Sequence, residues 1–364
     1  MHRGEQRLTF LDGLRGVAIS LVFAYHIGGV GPAFYLPGGS RYAGFPIVQH
    51  GWIGVYLFFL ISGFVIFKTI KRCTSLPDFL LRRWTRLFPA MLFATVLLFS
   101  LDRSLHLPGR FSSPNLRDTL PGLLFISNSV LQAVLRVPML SLDDTFWTLY
   151  VEASFYLIFG TLYFRLGERR AIGGLIAIFV AVETVLTLVR AGLVPGTASR
   201  LLAPAEWLGL QYFGWFASGI LFFKAWDTRN RRTFVAALAM GLLAVAMLHV
   251  AALTLLQNAM AGSMLLLFAA ALTVAPLQSL LATRPLLFVG GISYPLYLVH
   301  SNLGTGLVVS GVRRGLPQSI ATLATTTAMI LLAWAIARWI EPPLAVFARR
   351  AADRVRLRFA ISRS

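Results

Sequence analysis

The sequence predicts an all-α polytopic membrane protein of about ten transmembrane helices with both termini cytoplasmic, and three observations carry that reading. Of 364 residues, 57% are hydrophobic and 13% are charged, about half the roughly 25% charge of a soluble domain. The apolar residues form runs close to the ~20 residues an α-helix needs to cross hydrocarbon. The basic residues divide unevenly between the loops joining those runs, as oriented insertion requires. A mean hydropathy of +0.73 is incompatible with an ordinary water-soluble globule. Backbone groups in lipid must be paired internally, so long apolar runs span as helices. The single cysteine excludes a disulfide scaffold. The net charge of +19 is explained by orientation in the bilayer, and no nucleic-acid partner is expected.

Spans are expected at about 9–29, 51–69, 88–101, 146–164, 171–190, 204–223, 233–256, 259–281, 285–303 and 319–340. The third is short. Its neighbour 119–137 is apolar but interrupted by Pro121, Asn128, Arg136 and Pro138, which reads as a re-entrant or interfacial piece. This map places 23 of the 33 basic residues inside, nine outside and Arg15 within a span. An eleventh span at 119–137 would move the basic clusters at 165–170 and 224–232 outside. Asp12 and Arg15 interrupt the first run, so it does not read as a cleaved signal peptide. The chain is expected to be one membrane domain over 1–364. Its basic tail, 341–364, is expected to lie on the anionic inner membrane surface.

Ionisable residues at membrane depth are costly and face a bundle interior or cavity. The first span holds Asp12, Arg15 and His26. Arg15 and His26 are separated by about three helical turns, so they share a face roughly 16 Å apart. A bland reading has Asp12 capping the helix, Arg15 snorkelling and His26 packing. His300 in the ninth span and Glu152 in the fourth fall at a similar outer depth, with Thr148 and Tyr156 one turn either side of Glu152. Two imidazoles and a carboxylate in one layer suit general acid–base chemistry. A structural ion pair for Glu152 and an interfacial place for His300 stay open. In RRWTRLFP, Arg82, Arg83 and Arg86 lie three and four apart and form a guanidinium comb suited to phosphate. A positive-inside anchor fits the same residues. Trp84 adds a surface for an aromatic base or for headgroups. Gly51, Gly54 and Gly63 suit close helix packing, and Gly290, Gly291 and Pro295 suggest a bent helix beside His300. No metal-ligand spacing, P-loop or nucleophilic serine motif occurs. Cys73 is alone, so redox chemistry is not supported.

The ordered segments RLTFLDGLRGVAISLVFAYH, GWIGVYLFFLISGF, FLLRRWTRLFPA, FWTLYVEASFYLIF and ISYPLYLVH, with a final IEPP, resemble the acyltransferase-3 family. These are bacterial inner-membrane enzymes that O-acylate saccharides and some natural products. The resemblance covers the chain from Leu8 to about Pro343. It implies ten core helices and an acyl-CoA donor on the cytoplasmic side, acetyl-CoA by family habit; from the absence of metal-ligand spacing, no metal is expected. The Arg-x10-His motif falls on Arg15 and His26, and the Arg-rich motif on Arg82, Arg83 and Arg86. The WSL-x-x-E motif falls on Trp147, Thr148, Leu149 and Glu152, with Thr in place of Ser. The SY-x-LYL-x-H motif falls on Ser293, Tyr294, Leu296, Tyr297, Leu298 and His300. Tyr56 stands where many members carry an acid, and Val299 replaces a common Trp.

The residues and the resemblance together imply one mechanism. The nucleotide end of acyl-CoA rests on Arg82, Arg83 and Arg86, and its arm passes Arg15. His26 acts as general base or briefly carries the acyl group. Glu152 or His300 orients it. Asp12, Tyr25, Trp147, Tyr156 and Tyr294 are expected to line the acceptor site. The acceptor is a saccharide arriving from the outer side: an exopolysaccharide unit, an O-antigen or a lipid-linked sugar. Alternatives are acylation of a small glycosylated metabolite, a proton-coupled transporter, or a structural membrane subunit. Transporters favour matched repeats with broken helices, and none is found here.

Overall fold

The computed structural model describes residues 8–105, 114–194, 197–250, 254–348 and 350. Every regular element among them is helical, with no strand. Seven helices among the described residues are long and apolar enough to cross a membrane: Thr9–Tyr35, Pro46–Ile70, Leu76–Leu101, Glu168–Arg190, Arg231–Leu248, Leu255–Thr273 and Gln318–Ala348. An eighth crossing is added if the pair Leu116–Leu124 and Asn128–Leu135, bent by 118°, counts as one span. That pair is the piece expected to be re-entrant. Its bend follows Phe125, whose φ of 55° puts a non-glycine residue in the left-handed region and ends the first short helix. Arg3 and Arg7, and the expected tail beyond Arg350, lie outside the described residues.

Several boundaries differ from the sequence expectation. The third span is no short piece beginning at 88. It belongs to a helix Leu76–Leu105 whose early turns carry Arg82, Arg83 and Arg86. Charge ends an apolar run, but arginine is a good helix former. The expected span 204–223 divides into Thr197–Trp207 and Phe213–Thr228, with Gly209 at φ +70° between them. The span expected at 259–281 ends at Thr273, and Ala275–Leu281 is a separate helix. The expected span 285–303 is broken into Arg284–Gly291, Ser293–Val299 and Asn302–Arg313. At the other end, the helix Gln318–Ala335 continues through a π-helical turn, Ile336–Ile340, to Ala348. The first residues assigned to the tail therefore prolong the last span.

The chain forms two compact units. One comprises Met1–Tyr25, Phe45–Arg72 and Thr148–Ser293; the other comprises His26–Gly44, Cys73–Trp147 and Tyr294–Ser364. In the first unit, glycines set the helix contacts. A Cβ at Gly63 would strike the Phe216 carbonyl, and one at Gly219 would strike the Leu60 carbonyl, so Gly54–Ile70 and Phe213–Thr228 touch backbone to backbone. Gly13 and Gly290 do the same between Thr9–Ala24 and the segment 281–291. Small residues allow this approach where lipid offers no hydrophobic drive for helix association. Aromatic rings fill the space beside it. Tyr56 stacks on Trp215 with centroids 4.6 Å apart, and Phe155 stacks on Phe216 at 4.2 Å. In the second unit, Asn302–Arg313 packs on Gln318–Ala335, and Leu76–Leu105 packs on Leu120–Leu124 and Ile336–Ile340.

Gly63→Ala and Gly219→Ala should each destabilise the protein by about 1–3 kcal/mol, the usual range for overpacking. Gly262→Ala, where nothing lies within 4 Å of the added Cβ, should be neutral or gain about 0.5–1 kcal/mol of helix propensity. Thermal unfolding in detergent would separate the two signs.

Candidate active site

His26 lies in a π-helical turn, Tyr25–Val30, that continues the helix Thr9–Ala24. Such turns are wider than α and disturb the regular backbone ladder. Side chains answer here: Thr305 Oγ1 donates to the His26 carbonyl at 3.4 Å, and Ser40 Oγ donates to the Gly28 carbonyl. The wide turn presents the His26 ring to His300. The two rings meet edge to face, with centroids 5.1 Å apart and planes at 76°.

His300 is fully buried at a break between Ser293–Val299 and Asn302–Arg313. Its Nδ1 lies 2.9 Å from the Tyr297 carbonyl. A carbonyl only accepts, so Nδ1 carries the proton of the neutral ring and Nε2 carries the lone pair. The next residue, Ser301, sets its Oγ 3.3 Å from His26 Nδ1. The break is held by a strap, 142–145, just before the helix Trp147–Leu166. Tyr297 Oη donates to the Thr145 carbonyl at 2.9 Å. Asn302 N donates to Asp143 Oδ2 at 2.9 Å, and Asn302 Nδ2 donates to the Leu142 carbonyl at 3.0 Å. Asp143 Oδ1 also accepts from Thr145 N at 2.8 Å and Thr145 Oγ1 at 2.6 Å. Burial pushes the Asp143 carboxyl up to about 6, with the Thr145 and Asn302 donors opposing that rise. Three donors, Thr145 N, Thr145 Oγ1 and Asn302 N, thus face its two oxygens.

The other expected residues fall as follows. In the first unit, Arg15 Nη1 pairs with Asp12 Oδ1 at 2.7 Å. Asp12 sits inside the first turn and makes this ion pair, while Leu8 occupies the cap position without a side-chain bond. Also in that unit, Glu152 Oε1 accepts from Ser62 Oγ at 2.6 Å and from Tyr156 Oη. Tyr25 is half-buried. In the second unit, Tyr294 Oη donates to the Leu87 carbonyl at 2.8 Å, which ties it to the arginine helix. Trp147 is 39% exposed at the start of its helix. Arg82 and Arg86 are exposed and Arg83 is half-buried. Arg82 Nε bonds both oxygens of Asp78 at 3.1 Å, and Arg86 interacts electrostatically with Glu341. Trp84 stacks on Phe88 at 4.2 Å, so one face of its indole is already covered. No group of three potential metal ligands occurs among the described residues.

Sequence reasoning did not single out Ser62, Asp143, Ser301, Asn302 or Thr305. Ser301 and Asn302 directly follow the histidine that ends ISYPLYLVH, and Asp143 lies four residues before Trp147. That adjacency was the available signal.

A family model described as an acyltransferase domain matches residues 8–338. The chain belongs to the acyltransferase-3 family. Among similar proteins of this kind are an O-acetyl transferase of Shigella phage Sf6, 27% identical over 201 residues, and the acyltransferase MdmB of Streptomyces mycarofaciens, 32% identical over 167. The first alignment covers 52% of this chain and 57% of the phage protein; the second covers 45% and 41%. The peptidoglycan O-acetyltransferase OatA of Listeria monocytogenes is 28% identical over 160 residues, 41% of this chain and 23% of OatA. The chain thus spans between about a quarter and just over half of the length of these relatives. No solved structure matches it.

Burial and the neighbouring Asp78 push the Cys73 thiol up, against the pull of Arg82 and Arg83. A raised thiol is more fully protonated at pH 7, so Cys73 should react with maleimide more slowly than an exposed free thiol. Because the thiolate is the nucleophile, its rate should climb about tenfold per pH unit from 7 to 9. A pH series read by intact mass checks this.

Proposed function

We propose that the protein is a membrane O-acyltransferase that moves an acyl group, acetyl, from cytoplasmic acetyl-CoA to a saccharide hydroxyl at the outer side of a bacterial inner membrane. Family membership supports the acyl transfer, and relatives named as O-acetyl transferases support acetyl and the hydroxyl acceptor. The observation that carries the chemistry is the His26–His300 ring pair, with Ser301 on His26 Nδ1. When Nδ1–H donates to Ser301 Oγ, the lone pair of His26 stands on Nε2.

That nitrogen takes the proton of the sugar hydroxyl as its oxygen attacks the thioester carbonyl. The tetrahedral intermediate collapses, the C–S bond breaks, and the imidazolium returns the proton to the departing CoA thiolate. His300 fixes the His26 ring by edge-to-face contact. Arg82, Arg83 and Arg86 hold the donor phosphates, for which guanidinium is suited. Arg15 guides the pantetheine arm, and Glu152, with Tyr156, orients the acceptor. Asp12, Tyr25, Trp147 and Tyr294 complete the acceptor binding. The acceptor is an exopolysaccharide, O-antigen or lipid-linked sugar.

This reading takes 1–364 as one membrane domain with ten crossings and cytoplasmic termini. The crossings beyond the seven long apolar helices are Trp147–Leu166, the Thr197–Thr228 region and the broken segment around His300. A re-entrant 116–135 keeps the parity even, and that in turn keeps the basic loops inside.

His26→Ala should lower acceptor acetylation at least about 100-fold, the lower end of what a positioned acid–base group supplies, at unchanged protein level in membranes. Full activity of that variant would remove His26 from the chemistry. Radiolabelled acetyl-CoA binding should survive in His26→Ala and weaken when Arg83 and Arg86 are both changed to Gln.

A further inference from the structure

Between Val299 and Asn302 the helix is interrupted, and Asn302 opens a new one. The first amides of a helix have no partner within it. Ser301, at the cap position, makes no capping bond with its side chain, and its hydroxyl is instead directed at His26. The cap is supplied from 159 residues away in sequence: Asp143 Oδ2 accepts the Asn302 amide. Asp143 is fully buried, and its other oxygen is fixed by Thr145 N and Oγ1. The two remaining ties, from Tyr297 Oη to Thr145 and from Asn302 Nδ2 to Leu142, bracket the same break. His300 and Ser301, which both meet the His26 ring, are thus pinned on both sides by one strap.

We propose that Asp143 is a positioning residue for acyl transfer: by capping the helix at Asn302 from a distant strap, it holds Ser301 Oγ on His26 Nδ1 and so sets the orientation of the His26 ring. The proposal rests on the reading of His26 as the base. An external cap leaves the Ser301 hydroxyl free for His26, whereas a serine capping its own helix would turn that hydroxyl to an amide. A carboxylate is required at 143 because all three groups facing it donate. An amide there presents one oxygen and one donor, so it keeps the Thr145 pair and sets a donor against the Asn302 amide.

The test is Asp143→Asn in the full-length protein, alone and combined with Ser301→Ala. Asp143→Asn should lower kcat about tenfold or more, with KM for acetyl-CoA within about twofold and the melting temperature within a few degrees. In the Ser301→Ala background the same change should cost less than about twofold, because the contact it protects is already gone. A second readout needs no turnover: peptide-resolved modification of His26 by diethyl pyrocarbonate, whose rate should shift at least about threefold in Asp143→Asn and in Ser301→Ala alike. If Asp143→Asn does not fold, Asn302→Ala, which removes only the tie to Leu142, takes its place with a smaller effect in the same direction and the same cycle. An unchanged kcat with unchanged His26 modification would overturn the proposal. So would a loss of kcat equal in size with and without Ser301. If the parent protein transfers no acetyl group, the functional reading fails, and the His26 modification rates still decide whether Asp143 orients that ring.

Discussion

In an apolar bundle, a backbone amide or carbonyl released from its helix has to find another partner inside the protein. An unsatisfied group in hydrocarbon costs several kcal/mol, and no water is at hand to relieve it. The second unit of this protein releases such groups in two places, at the π-helical turn around His26 and at the break after Val299. Both are answered by side chains that lie far away in sequence. Thr305 and Ser40 take the carbonyls of the turn, and Asp143 takes the amide at the break. The two histidines meet because irregular backbone was made tolerable at these two points.

The glycine seams of the first unit solve a complementary problem. Helices in lipid gain little by hiding apolar surface from one another, so they associate through close packing. Gly63 against Phe216 and Gly290 against Asp12 bring backbones together and leave rings such as Tyr56 and Trp215 to fill the flanks. The helix that carries the Asp12–Arg15 ion pair is held in one rotational setting by Gly13 and Gly16.

Much of this was legible in the residues, and the failures have definite causes. Hydropathy located the long spans, since twenty apolar residues have few other uses. The bent piece around 120–135 was signalled by Pro121, Asn128 and Pro138, although the residue that turns it is Phe125, which carries no such mark. Arg82, Arg83 and Arg86 misled the boundary of the third span, because guanidinium ends an apolar run without ending a helix. Gly290, Gly291 and Pro295 signalled a broken segment near His300, yet the second break falls at His300 and Ser301, after the proline. His26, His300 and Glu152 stood out as ionisable groups at membrane depth. Ser62, Ser301 and Thr305 did not, because a single hydroxyl in a helix is common and its partner is set by tertiary packing. Asp143 looked like an ordinary loop acid beside Asp144. Nothing local tells a solvated aspartate from a fully buried one.

A π turn is a helix carrying one surplus residue. In Tyr25–Val30 that surplus lies immediately after the helix Thr9–Ala24 and at the histidine itself. Excising one residue there would relax the turn to regular α geometry and remove the wide turn that carries the His26 ring, while the residues downstream kept their rotational setting. The Gly31–Tyr35 segment, whose Gly31 is seated against Thr305 without room for a Cβ, would stay in place without that surplus. The length of this stretch is therefore as constrained as its chemistry.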